Sequence, residues 1–351
     1  MTSIAKPRIY TQKLERNSLG LTRMDYEGGM STLCAGCGHD SITAALVQAF
    51  FELELPPHRA VKLSGIGCSS KTTAYFVAQA HGFNAVHGRM PAVASGANAA
   101  HRDLSYVGVS GDGDSLSIGL GQLCHAIRRN VNMLYVLENN GVYGLTKGQF
   151  SASSDLGSKS KKGEPNLEGP IDPVSLALML GCTFVARSFS GDKEQLVPIL
   201  LAGLRHRGFA FVDVLSPCVT FNDHEGSTKS YTFIRKSKSE VVSAGFVPIQ
   251  DEIETKYAPG SVRPVTMHDG TTVYLRKVDV NYDPTDRLRA AAYLKERQDK
   301  GEIATGLLYV QEDGKDLHAR EKTIATPLRD LTFASLCPGS GALDKLMDEY
   351  L

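Results

Sequence analysis

Residues 106–144 read YVGVSGDGDSLSIGLGQLCHAIRRNVNMLYVLENNGVYG, and their reading decides the fold. Residues 106–109 form a short apolar run, as a buried strand does, and Gly111-Asp112-Gly113-Asp114 ends it. Residues 115–129 then place Leu116, Leu120, Leu123, Cys124 and Ile127 at i, i+4, i+7, i+8 and i+11, one face of a helix. Residues 133–137 are a wholly apolar strand, closed by Asn139-Asn140.

Outward from this unit the alternation continues. Helical spacing is read over residues 41–53, 72–81 and 193–205, and strands over 61–65, 183–186 and 209–215. Alternating apolar strands and helices predict an α/β fold, a parallel sheet with helices on both faces. Ligands of such sheets bind at the carboxyl ends of the strands. Cys68, Asp112, Asn140 and Cys218 each follow a predicted strand, so they are expected to share one site. Residues 1–30 read as an arm, 31–235 as the α/β domain, and 236–351 as a C-terminal extension without clear α/β order. That extension is expected to wrap the core or meet another subunit. Residues 151–170, rich in Gly, Ser and Lys, read as a long flexible surface loop, a lid or a partner contact.

Composition narrows the function. Among 351 residues, 38 Lys and Arg balance 38 Asp and Glu, which disfavours nucleic acid and anionic membranes as partners. No apolar run approaches the roughly 18 residues of a membrane span, and the first residues lack a signal-peptide core. A cytoplasmic location is expected. Seven cysteines, an odd number in a long chain, argue against a disulfide framework.

The Gly-Asp-Gly turn and the Asn-Asn pair suit a hard cation holding a diphosphate. Asp112 offers a carboxylate oxygen, Asn140 an amide oxygen, and the Gly141–Gly144 turn a backbone carbonyl. Glycines let the backbone approach phosphates, and the following helix start favours an anion. Cys34-Ala-Gly-Cys37 alone fits a zinc half-site or a redox pair, but not haem attachment, since Gly38 precedes His39. With Cys68 and Cys218, four thiolates from separate loops suit zinc or an iron–sulfur cubane equally. Cys124 and Cys182 read as core, His125 as structural, and Cys337 as a lesser ligand candidate.

The Gly-Asp-Gly…Asn arrangement resembles that of thiamine-diphosphate enzymes. CAGCGH, GIGCSSK, HGR, GDGD and LSPCVTFN occur in the order found in β subunits of 2-oxoacid:ferredoxin oxidoreductases. The chain resembles that family over residues 30–225, in a pattern nearer the 2-oxoglutarate type than the pyruvate type. The resemblance implies thiamine diphosphate, Mg²⁺ and one [4Fe–4S] cluster. It implies Asp112, Asn140 and the Val142 carbonyl on Mg²⁺, and Cys34, Cys37, Cys68 and Cys218 on the cluster. Gly67, Ser69, His87, Gly88, Arg89, Gly111, Gly113, Asp114, Gly144, Leu145 and Thr146 would surround the cofactor. Lys71 would be catalytic, pairing with the substrate carboxylate. The implied reaction is reversible, coenzyme A-acylating oxidative decarboxylation of a 2-oxo acid, with electrons passing to ferredoxin. A second, pyrimidine-binding domain is not read here, so an α subunit is expected to supply it with its activating glutamate. The other readings are a pyruvate- or indolepyruvate-type enzyme, a non-oxidative thiamine-dependent lyase, and a non-catalytic metal-stapled scaffold.

Overall fold

The computed structural model describes residues 14–159, 163–221, 253–267, 272–337 and 339–350. In chain order the elements are α1 (Gly38–Leu53), β1 (Ala60–Ser64), α2 (Cys68–Thr72), β2 (His81–Asn84), α3 (Met90–Ala100), β3 (Ser105–Gly111), α4 (Leu120–Arg129), β4 (Met133–Asn139), β5 (Val142–Tyr143), β6 (Gln149–Phe150), α5 (Pro173–Met179), β7 (Phe184–Phe189), α6 (Lys193–Arg205), β8 (Phe209–Leu215), β9 (Val262–Thr266), β10 (Thr272–Lys277), α7 (Arg287–Asp299) and β11 (Glu302–Val310). Nine strands form one sheet, ordered β2-β1-β3-β4-β8-β7-β11-β10-β9. The first six are parallel to their neighbours. β11 joins β7 antiparallel, β10 runs parallel to β11, and β9 closes the edge antiparallel.

The period-2 alternation of β4 divides the core into two layers. Tyr135 and Leu137 face one layer with Leu123, Ala126 and Ile127 of α4, Ala177 of α5 and Leu294 of α7. Leu134 and Val136 face the other with Ile42, Leu46 and Phe50 of α1 and Leu196 and Leu200 of α6. Each fully buried Leu or Phe contributes about 1.5–3 kcal/mol of transfer free energy, so this double burial dominates cohesion. Both layers leave the strand ends open, and the carboxyl ends of β1, β3, β4 and β8 lie side by side.

Three sequence expectations are corrected. Residues 72–81 are not a helix: α2 stops at Thr72, and the chain turns to pair with residues 26–28 through Val77 N to Tyr26 O at 2.7 Å and Gly28 N to Tyr75 O at 2.8 Å. Val77 sits at φ +38°, incompatible with a right-handed helix. The predicted helix over 115–129 is two pieces. A π-helical turn spans Gly113–Ile118, and α4 starts after Gly119. The break lets Gly119 meet Gly88 so closely that a side-chain carbon would stand 2.7 Å from the Gly88 Cα. Finally, the C-terminal region lengthens the main sheet: β9, β10, α7 and β11 all lie beyond residue 236. Its strand pattern is diluted by charges because β9 is mostly exposed and β10 only partly buried.

Candidate functional site

A cleft opens at the carboxyl ends of β1, β3 and β4. It is lined by Gly67, Cys68, Ser69, His87, Gly111, Asp112, Gly113, Asp114, Asn140, Val142, Gly144, Leu145 and Thr146, all expected from the sequence, and by His39, Ile66 and Tyr143, which were not. Asp112 ends β3 almost wholly buried. Its Oδ2 accepts hydrogen bonds from the hydroxyls of Ser151 and Ser153, the latter at 2.7 Å, and its Oδ1 from the Asn140 amide at 3.4 Å. Burial pushes its carboxyl above the usual carboxylate range, partly offset by those bonds. Nearby, the Asn140 side-chain oxygen accepts from Val142 N at 3.1 Å and holds the turn.

These groups fit a hard cation and a diphosphate. The donors are all oxygen, and the anion among them is buried beside hydroxyls and an amide. Glycines keep the cradle open. A side-chain carbon at Gly113 would strike the Tyr143 ring at 2.5 Å, and one at Gly111 would meet Ser69 Oγ at 3.0 Å. Tyr143 donates from its hydroxyl to Gly113 O at 3.0 Å, tying the Asn-Gly turn to the Gly-Asp-Gly turn.

Asp114 borders the cleft but turns its carboxylate into the protein. It accepts from Ser110 Oγ at 2.7 Å, His87 Nδ1 at 2.8 Å and Gly88 N at 2.9 Å. Its effect is to fix the His87-Gly88 turn, with the half-exposed His87 ring on the cleft. Arg89 is exposed at the N-cap of α3, outside the lining.

The four cysteines gather at one rim. Cys37 caps α1 after a tight turn on Cys34, and Cys68 opens α2. Cys218 follows β8, where Ser216 N donates to Asn139 O at 2.8 Å. A side-chain carbon at Gly144 would lie 3.3 Å from the Cys68 sulfur and 3.9 Å from that of Cys218. Thr220 Oγ1 donates to the Cys34 sulfur at 3.4 Å. Burial raises the thiol pKa of Cys37, Cys68 and Cys218, and repulsion among neighbouring thiolates raises each further. Lys71, one turn along α2, opposes this at Cys68. Such a group ionises readily only around added positive charge. Among the described residues, no three His, Cys, Asp or Glu converge on a single ion. The remaining cysteines lie apart. Cys182 is buried and donates to Phe184 O and Phe209 O at 3.2 Å, Cys124 is half-buried on α4, and Cys337 is exposed.

The sequence reading missed residues 151–154. Far from a purely solvated loop, Ser151 and Ser154 are buried, and Ser154 Oγ donates to Gly141 O at 2.5 Å. It also missed the interior behind the cysteines. His39 Nδ1 and Ser216 Oγ share a 2.6 Å hydrogen bond, and burial lowers the imidazole pKa to about 4. The wholly buried Glu138 has its Oε2 3.5 Å from that nitrogen, and burial raises its carboxyl well above the usual range. A His directly after a Cys-x-x-Cys-Gly run was the available signal.

A sheet of this kind with an Asp–Asn oxygen set at its carboxyl edge is a thiamine-diphosphate-binding domain. Residues 65–214 match the family model described as "Thiamine pyrophosphate enzyme, C-terminal TPP binding domain". Among curated proteins, the chain is 37% identical over 268 residues to "2-oxoacid:ferredoxin oxidoreductase subunit beta" of Saccharolobus solfataricus, covering 74% of this chain and 87% of that one. It is 44% identical over 209 residues to "2-oxoglutarate oxidoreductase subunit KorB" of Mycobacterium tuberculosis, covering 59% and 54%. Among solved structures it resembles a chain of "2-oxoglutarate:ferredoxin oxidoreductase from Magnetococcus marinus with 2-oxoglutarate, coenzyme A and succinyl-CoA bound", with TM-score 0.69, 29% identity, and coverage of 89% and 92%. The chain belongs to the β subunits of the 2-oxoacid:ferredoxin oxidoreductases.

Proposed function

We propose that this β subunit carries thiamine diphosphate, Mg²⁺ and a [4Fe–4S] cluster, and catalyses coenzyme A-acylating oxidative decarboxylation of 2-oxoglutarate with ferredoxin as electron acceptor. The observation that carries this reading is adjacency. Gly144, on the turn after Asn140 that lines the diphosphate cleft, stands against the sulfurs of Cys68 and Cys218. A carbon–carbon bond-breaking site and an electron exit then share one wall. The reading separates this chain from a non-oxidative lyase, which has no use for the thiols, and from a scaffold, which has no use for the cleft.

Asp112, Asn140 and the Val142 carbonyl would hold Mg²⁺; Cys34, Cys37, Cys68 and Cys218 would hold the cluster. Bound thiamine diphosphate supplies the electron sink at which a 2-oxo acid loses carbon dioxide. The residues of the chain do the rest. Gly111 and Gly113 let the backbone approach the diphosphate, and Asp114 holds His87 on the cleft. Lys71, through its ammonium, pairs with the substrate carboxylate. Residues 31–235 carry the cofactors, while 236–351, whose strands β9 to β11 widen the sheet, meet other subunits. An α subunit contributes the pyrimidine domain and its activating glutamate. Support for 2-oxoglutarate over pyruvate or indolepyruvate comes from the names of relatives and from the bound molecules of the Magnetococcus structure.

The test is anaerobic purification of the chain with its α partner, followed by iron, sulfide and thiamine analysis and visible spectra. About four irons and one thiamine per β chain, with bleaching by 2-oxoglutarate plus coenzyme A, is the expected result. Zinc in place of iron, or thiamine without iron, removes the electron-transfer mechanism. Bleaching by pyruvate alone reassigns the substrate.

A further inference from the structure

His39 has no place in the ligand sets above, although it lines the cleft and is almost wholly buried. It stands two residues after Cys37, and its partner Ser216 stands two residues before Cys218. Their 2.6 Å hydrogen bond therefore joins two cysteine-bearing segments that lie 177 positions apart in the chain. The first turn of α1 reaches this position only because residue 38 is glycine. A side-chain carbon there would lie 2.6 Å from Ser190 Oγ and 2.7 Å from Ser216 Oγ. Near the surface, the exposed Thr220–Cys34 contact at 3.4 Å is the second link between the same two segments. The buried link is the stronger constraint, because breaking a dry hydrogen bond leaves its partner unsatisfied.

We propose that His39 is a positioning residue: its bond to Ser216 clamps the Cys34–Cys37 arm onto the segment after β8, bringing Cys37 and Cys218 to one cluster at the cleft wall. The inference rests on the reading of the four cysteines as cluster ligands. It assigns His39 a role distinct from ligation and from contact with substrate. A group that orients metal ligands typically governs metal affinity and the electronic character of the site without touching the metal.

The experiment uses the complex with the α partner, purified anaerobically. Iron retention against a chelator, thiamine content and the electron paramagnetic resonance spectrum of the reduced protein are measured for wild type, His39→Leu, His39→Asn and Ser216→Ala. Leu keeps bulk without the bond; the Asn amide reaches the Nδ1 position and can remake it. Ser216→Ala cuts the link without changing α1. His39→Leu and Ser216→Ala are expected to weaken iron retention on the order of tenfold or more and to shift the spectrum. His39→Asn is expected to recover both. Unchanged retention and spectrum in Ser216→Ala overturn the inference, as does a His39→Asn protein no better than His39→Leu. Parallel loss of thiamine and iron in Ser216→Ala also overturns it, since the effect is then general unfolding. Iron-free wild-type protein overturns the cluster reading itself, and the clamp with it.

Discussion

Asp114 Oδ1 accepts from both His87 Nδ1, at 2.8 Å, and Gly88 N, at 2.9 Å, so one buried oxygen holds the whole turn. Asp114→Ala leaves the Gly88 amide without an acceptor and removes the 2.7 Å partner of the Ser110 hydroxyl. A loss of about 1–3 kcal/mol in stability is expected, read as a lower denaturation midpoint. Bound thiamine diphosphate should fall as well, because the His87 ring is released. Stability that drops while thiamine retention stays at the wild-type level would show that the turn does not serve the cleft.

Gly65 presents a purely steric case. A side-chain carbon there would lie 1.8 Å from Asp114 Oδ2, which the Ser110 hydroxyl holds in place at 2.7 Å. Gly65→Ala is expected to destabilise by about 1–3 kcal/mol or more, through overpacking. Thermal melting of Gly65→Ala beside Gly121→Ala, whose added carbon meets nothing within 4 Å, makes the comparison.

The cysteines divide by location. Serine substitution of Cys34, Cys37, Cys68 or Cys218 should each abolish or strongly reduce iron and visible absorbance. The same change at Cys124 or Cys337 should leave both intact. Iron analysis of the six variants decides it, and iron retained in a Cys218→Ser protein would remove that residue from the ligand set.

His206 gives the acid response a sign. Its Nε2 lies 2.8 Å from Thr183 Oγ1, and burial lowers its pKa from 6.5 to about 4. Between those values the unfolded chain binds more protons than the folded one, so stability rises with pH and is lost as pH falls from 6.5 toward 4. The fully buried His39 acts in the same direction. Denaturant midpoints measured across this window should fall on acidification, and His206→Gln should flatten the slope. An unaltered slope would mean that His206 takes up its proton in the fold as easily as in the unfolded chain.

Lys62 gives the opposite limb. Buried within β1 and donating to Phe76 O at 2.7 Å, its ammonium has a pKa lowered to about 8 by desolvation. Folding then releases a proton between about 8 and 10.5, so this group adds stability as pH rises through that range. Lys62→Met should be neutral or stabilising at pH 7 and should lose that alkaline increment, which denaturant titration at the two pH values measures.

The sequence by itself determined the parallel core. Predominantly apolar runs within β3, β4, β7 and β8 can be satisfied only with both faces covered, and the turn chemistry of Gly111–Asp114 and Asn139–Asn140 marks where β3 and β4 stop. It also brought Cys68, Asp112 and Asn140 to one edge, because residues that follow parallel strands emerge at the same end of the sheet; the other expected cleft residues came from the family resemblance. Tertiary structure alone decided the rest. Local spacing favoured a helix over 72–81, yet pairing with residues 26–28 won. Strand β9 is mostly exposed and β10 carries Arg276 and Lys277, so neither shows an apolar alternation, while β11 is largely buried but follows no strand–helix alternation legible enough to announce it. The serines around Asp112 and the His39–Ser216 bond join residues remote in the chain, and a hydrogen bond between distant segments leaves no periodicity in either one.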